Sequence, residues 1–282
     1  MQLPGHRLRC LACARRCVIE QGRRGFCRVR TNEDGALVAA NYGRVVTGHI
    51  DVIEKKPAYH YRPGSKLLSI GTVGCNWSCD FCVNAEVSQA DEVIGKRLSP
   101  TDVIQLAKQY GCQGIAYTYN EPLVLIEFAR DIGILAHREG LFNVVVSNGY
   151  GTPEAVGVLS EFADCIIVGL KANASPSFLK KHLGIRSPNS IFETLLGLKR
   201  RAGIHIEIND LILGRNFELA IAIALTAFAS MPMVAVSTVV GPLIEIPVML
   251  AIVWMALRRR NHLQVIEVEA KSAQKVGKGG IC

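Results

Sequence analysis

GTVGCNWSCDFCVN, residues 71–84, decides how this chain of 282 residues is read. Cys75, Cys79 and Cys82 stand at C-x3-C-x2-C spacing directly after the apolar run 67–70, which reads as a buried strand. That spacing suits a 4Fe-4S cluster. Such a cluster has four irons held by cysteine thiolates, so three ligands on one short loop leave one iron open to a ligand that is not protein. Structural zinc takes four ligands in two close pairs, and no second pair follows nearby. A disulfide framework needs an oxidising compartment, which nothing near Met1 announces.

Phe81 completes a C-x3-C-x-aromatic-C pattern, and with it the loop resembles the radical S-adenosylmethionine (SAM) superfamily. The resemblance implies that SAM chelates the open iron and is reductively cleaved to a 5′-deoxyadenosyl radical. It also implies a partner that donates the electron, such as a flavodoxin or ferredoxin.

Upstream of the loop, residues 10–27 read CLACARRCVIEQGRRGFC and place Cys10, Cys13, Cys17 and Cys27 within one short segment. Four soft ligands there suit a tetrahedral zinc. An auxiliary iron-sulfur site and free buried thiols are the other readings, and the spacing leaves all three open. Further on, alternation over 37–42 and 45–53, separated by Gly43, suggests a short antiparallel pair. The early cysteines, NYGRV at 41–45, IEKKP at 53–57, YHYRPGS at 59–65 and then GTVGCN are similar to the radical SAM enzyme of the AmmeMemoRadiSam system, itself similar to the activating enzymes of pyruvate formate-lyase. That resemblance covers about residues 8–213 and admits a protein as substrate.

Downstream, helix and strand signals alternate. Ser99-Pro100 opens a capped helix that ends before Gly111. The pattern continues as strand (GIAYTY), helix (122–140), strand (LFNVVVSN), helix (152–164), strand (CIIVGLKA), helix (189–201) and strand (IHIEINDLIL). Strands separated by helices of this length imply a parallel sheet with reactive residues at the carboxyl ends of strands.

Asn120 and Glu121 end one such strand in Y-N-E-P, which resembles the G-G-E-P segment whose backbone and carboxylate hold the SAM amino group; the plain reading of Glu121 is a carboxylate opening the next helix. Asn148 ends the following strand as a candidate for SAM ribose or carboxylate, or as an ordinary turn residue. Lys171 ends the next, where activating enzymes carry D-x-K with the lysine near SAM. Gly169 stands here in the acidic position. Lys171 is thus the candidate catalytic and SAM-facing cation. His205 reads as a packing residue, His60 ahead of the cluster loop is a weaker functional candidate still, and Cys112 and Cys165 read as small buried hydrophobes.

The fold class expected is α/β: a partial (β/α) radical SAM barrel, an N-terminal cysteine-rich segment and a C-terminal pair of apolar helices read as transmembrane. The divisions fall at 1–66, 67–213, 214–260 and 261–282. Residues 219–240 carry no charge. As a helix they would span roughly 33 Å, close to a bilayer core. A second apolar run, 243–257, ends at Arg258-Arg259-Arg260. Residues 216–260 resemble the C-terminal end of arsenite efflux permeases. The alternative to an active enzyme is accordingly a non-functional or membrane-attached fusion with a transporter fragment, anchored through 219–257 with its N-terminal domain in the cytoplasm.

Composition adds limits. Apolar residues make up 49% of the chain, ample for a core, and ten cysteines without a secretory segment fit metal in a reducing compartment. The net charge of +8 sits in residues 1–66, which hold 13 Lys/Arg against 5 Asp/Glu. No basic run interleaved with aromatics points to nucleic acid.

Overall fold

The structure, a computed structural model, describes residues 1–211 apart from Ala202. Its centre is the run that precedes the cysteine loop. Lys66–Gly71 forms a strand buried on both faces, as a continuous apolar run in a parallel sheet must be. We label the main sheet β1 (Thr47–Val52), β2 (Lys66–Gly71), β3 (Gly114–Tyr117), β4 (Phe142–Ser147), β5 (Cys165–Lys171) and β6 (His205–Leu211). The spatial order is β6-β5-β4-β3-β2-β1. β2 to β6 run parallel, with Tyr117 beside Ile70, Ser147 beside Val168 and Lys171 beside Leu211, while β1 closes one edge antiparallel to β2. Among the described residues the six strands form one mixed sheet, five of them parallel, consistent with a partial barrel.

Each parallel step is bridged by a helix: α1 (Pro100–Gln109), α2 (Ile126–Arg138), α3 (Pro153–Leu159) and α4 (Asn189–Lys199). α1 starts where its sequence says, because Ser99 and Asp102 form a reciprocal capping box and Pro100 occupies the first turn. The helix expected from Pro122 opens as a 3-10 turn, Pro122–Leu125, and becomes α-helical at Ile126.

Strand side chains alternate between two cores. Leu68, Ile70, Ile115, Tyr117, Val145 and Val168 face the helices, packing with Phe128, Ile132 and Phe162. Leu67, Ala116, Val144 and Ile167 face the other way, onto Ile53, Ala58 and Tyr61 from the segment between β1 and β2. Glu207 ties that segment down: its carboxylate accepts the backbone N–H groups of Tyr59 and His60, both at 3.0 Å, and contacts the rings of His60 and His205. His205 is half-buried against Tyr61 at the amino end of β6, whereas the His60 ring is exposed and does not pack. Cys112 and Cys165 are buried, as expected of small hydrophobes.

The expected antiparallel pair between 37–42 and 45–53 does not form. Ala36–Ala39 pairs instead with Arg30–Glu33 through a turn at Asp34-Gly35, and β1 pairs with β2. The reason lies at Gly43, which has φ +68° and whose missing Cβ would stand 2.9 Å from the Leu98 carbonyl oxygen. The chain bends there against Leu98 and delivers the next strand to the open edge of β2, where its backbone gains a six-residue ladder. The N-terminal segment is fastened to α2 by a two-pronged ion pair from buried Arg30 to Glu127, with both N–O distances 2.6 Å.

Among the described residues no helix is long and apolar enough to cross a membrane. The apolar runs at 219–240 and 243–257, and the permease-like stretch 216–260, lie outside the described residues.

Candidate functional site

The loop after β2 is held from behind by amide side chains. Asn120 donates from Nδ2 to the carbonyl of Gly74 at 2.9 Å, and its Oδ1 accepts the Thr72 N–H at 3.2 Å. Asn41 reaches Thr72 Oγ1 at 2.9 Å. From the far side, Asp80 is gripped by the turn Leu179–Leu183: His182 Nδ1 lies 2.8 Å from its carboxylate, and its N–H donates to the His182 carbonyl at 3.2 Å. Nothing in the sequence pattern announced this turn.

Gly74 is where the N-terminal cysteine segment meets the loop. Its φ is +95°, and a Cβ there would lie 2.7 Å from the Cys27 carbonyl oxygen and 2.8 Å from Val29 Cγ1. A backbone carbonyl cannot swing aside as a flexible side chain would. Gly74→Ala is therefore expected to lower stability by about 1–3 kcal/mol, read as a fall in the urea midpoint with the slope unchanged. An unchanged midpoint would mean that the two segments do not pack as described.

Cys75, Cys79 and Cys82 line one cavity of about 290 Å3 together with Glu121, Asn148 and Lys171. Larger cavities, about 370 Å3 between α3 and α4 and about 390 Å3 beside α1, gather no comparable set of groups, so chemistry and not size selects the site. The Trp77 N–H donates to Cys75 Sγ at 3.5 Å, and Cys82 Sγ lies 3.3 Å from Ser88 Oγ. Burial pushes the Cys79 thiol up to about 11 and the Cys75 thiol further still. A cation is thus what would hold them as thiolates, and loading it releases protons. Among the described residues no three ligand-type side chains are drawn together around a single ion. Three free thiols lining one cavity suit a group with several irons, each taking one thiolate.

Glu121 is buried and fully engaged. Ser147 Oγ donates to its Oε1 at 2.7 Å, the Leu123 N–H to the same oxygen at 3.1 Å, and the Asn148 N–H to Oε2 at 2.8 Å. Burial raises its pKa to about 7, against the pull of those three donors. Lys171 is also largely buried; burial lowers its pKa, and Cys79, Asp210 and Cys82 work the other way. Its Nζ lies 3.4 Å from where a Cβ on Gly169 would stand. Asn148 donates from Nδ2 to Asn76 Oδ1 at 2.7 Å, so its amide braces the cysteine loop. The structure thus brings Asn120, Glu121, Asn148 and Lys171 to one cavity, with both asparagine side chains already bonded to the loop.

Two residues escaped the sequence reading. Tyr119 has φ +72°, a strained position for a tyrosine, and its OH donates to Asp51 Oδ2 at 3.3 Å. Lys56, from the I-E-K-K-P stretch, lies 4.8 Å over the Tyr119 ring and 2.8 Å from Asp51 Oδ2. Burial tends to raise the Asp51 pKa, but hydrogen bonds from Lys56 and Lys55 overcome it and hold the group at about 2. A non-glycine residue between strand and helix carries no local signal that its backbone turns left-handed.

Residues 69–218 match the model of the radical SAM superfamily, and the chain belongs to that superfamily. The family implies an enzyme with a 4Fe-4S cluster and SAM. The chain is 38% identical over 213 residues to an uncharacterised protein of Methanocaldococcus jannaschii, a match covering 75% of this chain and 62% of that protein. Among solved structures it is similar to SuiB of Streptococcus suis bound to precursor peptide SuiA, at 15% identity over 51% of this chain and 32% of that one, with a TM-score of 0.41. TYW1 with a lysine-pyruvate adduct gives 17% identity, 55% and 58% coverage and a TM-score of 0.38. QueE from Escherichia coli gives 13%, 65% and 90%, and 0.38. Likenesses this distant bear on neither substrate nor residue roles.

Proposed function

We propose that the chain is a radical SAM enzyme whose cluster is held by Cys75, Cys79 and Cys82 and whose SAM is held by Glu121, Asn148 and Lys171. The observation that carries the reading is the convergence of three free thiols, a buried carboxylate and a buried ammonium on one cavity at the carboxyl ends of β2 to β5. When bound, the cluster supplies the electron that cleaves SAM to methionine and a 5′-deoxyadenosyl radical. The chain's own groups bind and orient. The Glu121 carboxylate, fixed by three donors, accepts from the SAM ammonium. Lys171 offers a cation to the SAM carboxylate. Trp77, 2% exposed, and Phe81 flank the cysteines and exclude water.

The quoted motifs from NYGRV to GTVGCN support the finer reading, an AmmeMemoRadiSam-type enzyme similar to activating enzymes, with a flavodoxin- or ferredoxin-like electron donor and a protein among the candidate substrates. Gly169, where activating enzymes carry an acid, marks this chain as a departure from them. Attachment to a membrane through 219–257 rests on sequence alone. The direct test is anaerobic incubation of reconstituted, dithionite-reduced protein with SAM. 5′-Deoxyadenosine and methionine are expected in equal amounts, and their absence from a cluster-loaded protein counts against the assignment.

A further inference from the structure

The chain leaves β3 through a turn that a tyrosine does not favour. The Asn120 N–H donates to the Thr118 carbonyl at 3.0 Å across Tyr119, whose φ is +72°. A closure of that span at that φ is a γ-turn of the rare, strained hand. Glycine adopts such a φ freely, and Y-N-E-P sets Tyr119 where the similar G-G-E-P stretch has a glycine. The turn also lies tight against the end of β2: a Cβ on Gly71 would stand 2.7 Å from the Thr118 carbonyl oxygen and 3.0 Å from Tyr119 Cβ.

Strain of this kind persists only where neighbouring contacts over-determine the conformation. Here they come from β1 and the turn after it. The Tyr119 OH donates to Asp51 Oδ2 at 3.3 Å, and Lys56 Nζ lies 2.8 Å from the same oxygen and 4.8 Å over the tyrosine ring. The Asp51 and Lys56 side chains are only 11% and 7% exposed. A buried ion pair adds little net stability, because desolvation offsets the attraction, so its effect here is to fix geometry. On the other side Asn84 Nδ2, just past Cys82, donates to the Tyr119 carbonyl at 2.9 Å. The tyrosine is thus held at its hydroxyl, its ring and its carbonyl. What the turn delivers is Asn120 to the Gly74 carbonyl and Glu121 to its donors Ser147, Leu123 and Asn148.

We propose that Asp51 and Lys56 are positioning residues for SAM: they clamp Tyr119 in its left-handed turn, and the turn aims Glu121 into the cavity. Tyr119 lines that cavity, whereas Asp51 and Lys56 do not, so both act through the tyrosine. The second lysine of I-E-K-K-P thereby gains a role in the site. A glycine at 119 would need no clamp. This role rests on the reading of Glu121 as the acceptor of the SAM ammonium.

The test is a double-mutant cycle on the full, cluster-loaded chain, with SAM affinity read by calorimetry. Asp51→Asn is expected to weaken SAM binding about tenfold. It should raise the KM for SAM while the rate of 5′-deoxyadenosine formation at saturating SAM stays within about twofold. In a Tyr119→Gly chain the glycine holds the turn unaided, so adding Asp51→Asn should change the affinity by less than about twofold. A pair that only fastens β1 gives equal losses in both backgrounds, and that result overturns the proposal. Should Asp51→Asn not fold, Tyr119→Phe leaves the ion pair whole and removes only the hydroxyl. It is expected to weaken SAM binding about threefold, and an unchanged affinity overturns the proposal as well. An unmodified, cluster-loaded chain that binds no SAM would instead overturn the assignment of the cavity, and this role with it.

Discussion

Replacing Cys79 with alanine is expected to abolish SAM cleavage, with 5′-deoxyadenosine falling below detection under conditions where the unmodified protein accumulates it. Two thiolates cannot hold a cube that needs three on this loop, and the lining of the cavity offers Cys75 and Cys82 no fourth thiol in its place. The loss is all-or-none because it removes the electron source. Cys112→Ala is the matched control. That thiol is buried at the end of α1, ahead of β3 and away from the strand ends that form the site. Its loss costs about 1 kcal/mol of packing and leaves product formation intact. Equal activity in the two variants would remove the cysteine loop from the chemistry.

The second large effect is on the pH dependence of SAM binding. Glu121 titrates near 7 because burial disfavours its charge, against an ordinary value of 4.5. Its ionised form is the one that accepts from an ammonium. SAM affinity should therefore rise about tenfold per pH unit up to about pH 7 and then level off. Below that pH, binding releases a proton, which calorimetry in buffers of different ionisation enthalpy reads directly. The sign for apo stability is opposite. The folded chain holds a proton between about pH 4.5 and 7 that the unfolded chain has shed, so stability is fullest below about 4.5 and declines as pH rises through that window, by a few kcal/mol. Glu121→Gln keeps an acceptor for Ser147 and Leu123 while removing the charge. It should bind SAM roughly 10–100-fold more weakly and show neither the pH slope nor the proton release. A slope that survives in Glu121→Gln would assign the titration to another group.

Much of this was legible because it is periodic or local. The run ahead of Gly71, the Ser99-Pro100 cap and the alternation from Gly114 to Leu211 each write their structure into a few neighbouring residues. The parallel sheet they imply places Glu121, Asn148 and Lys171 at strand ends beside the cysteines, and the structure brings all of them to one cavity. What stayed hidden depends on residues far apart in the chain. Asn76 bonds Asn148, Asn120 bonds the loop it was not expected to brace, and Lys56 and Asp51 meet Tyr119. Such contacts leave no period in the sequence. The strand pair expected across Gly43 failed for a related reason: alternation shows that two segments are extended, whereas the available sheet edge decides which partner each takes.

The central claim is that the loop after β2 carries a cluster with one iron open to SAM. Electron paramagnetic resonance of the reconstituted, dithionite-reduced protein, recorded before and after adding SAM, tests it most directly. A reduced-cluster signal whose g-values shift on SAM addition is the result predicted here. A signal indifferent to SAM, or a folded chain that assembles no cluster, would contradict it.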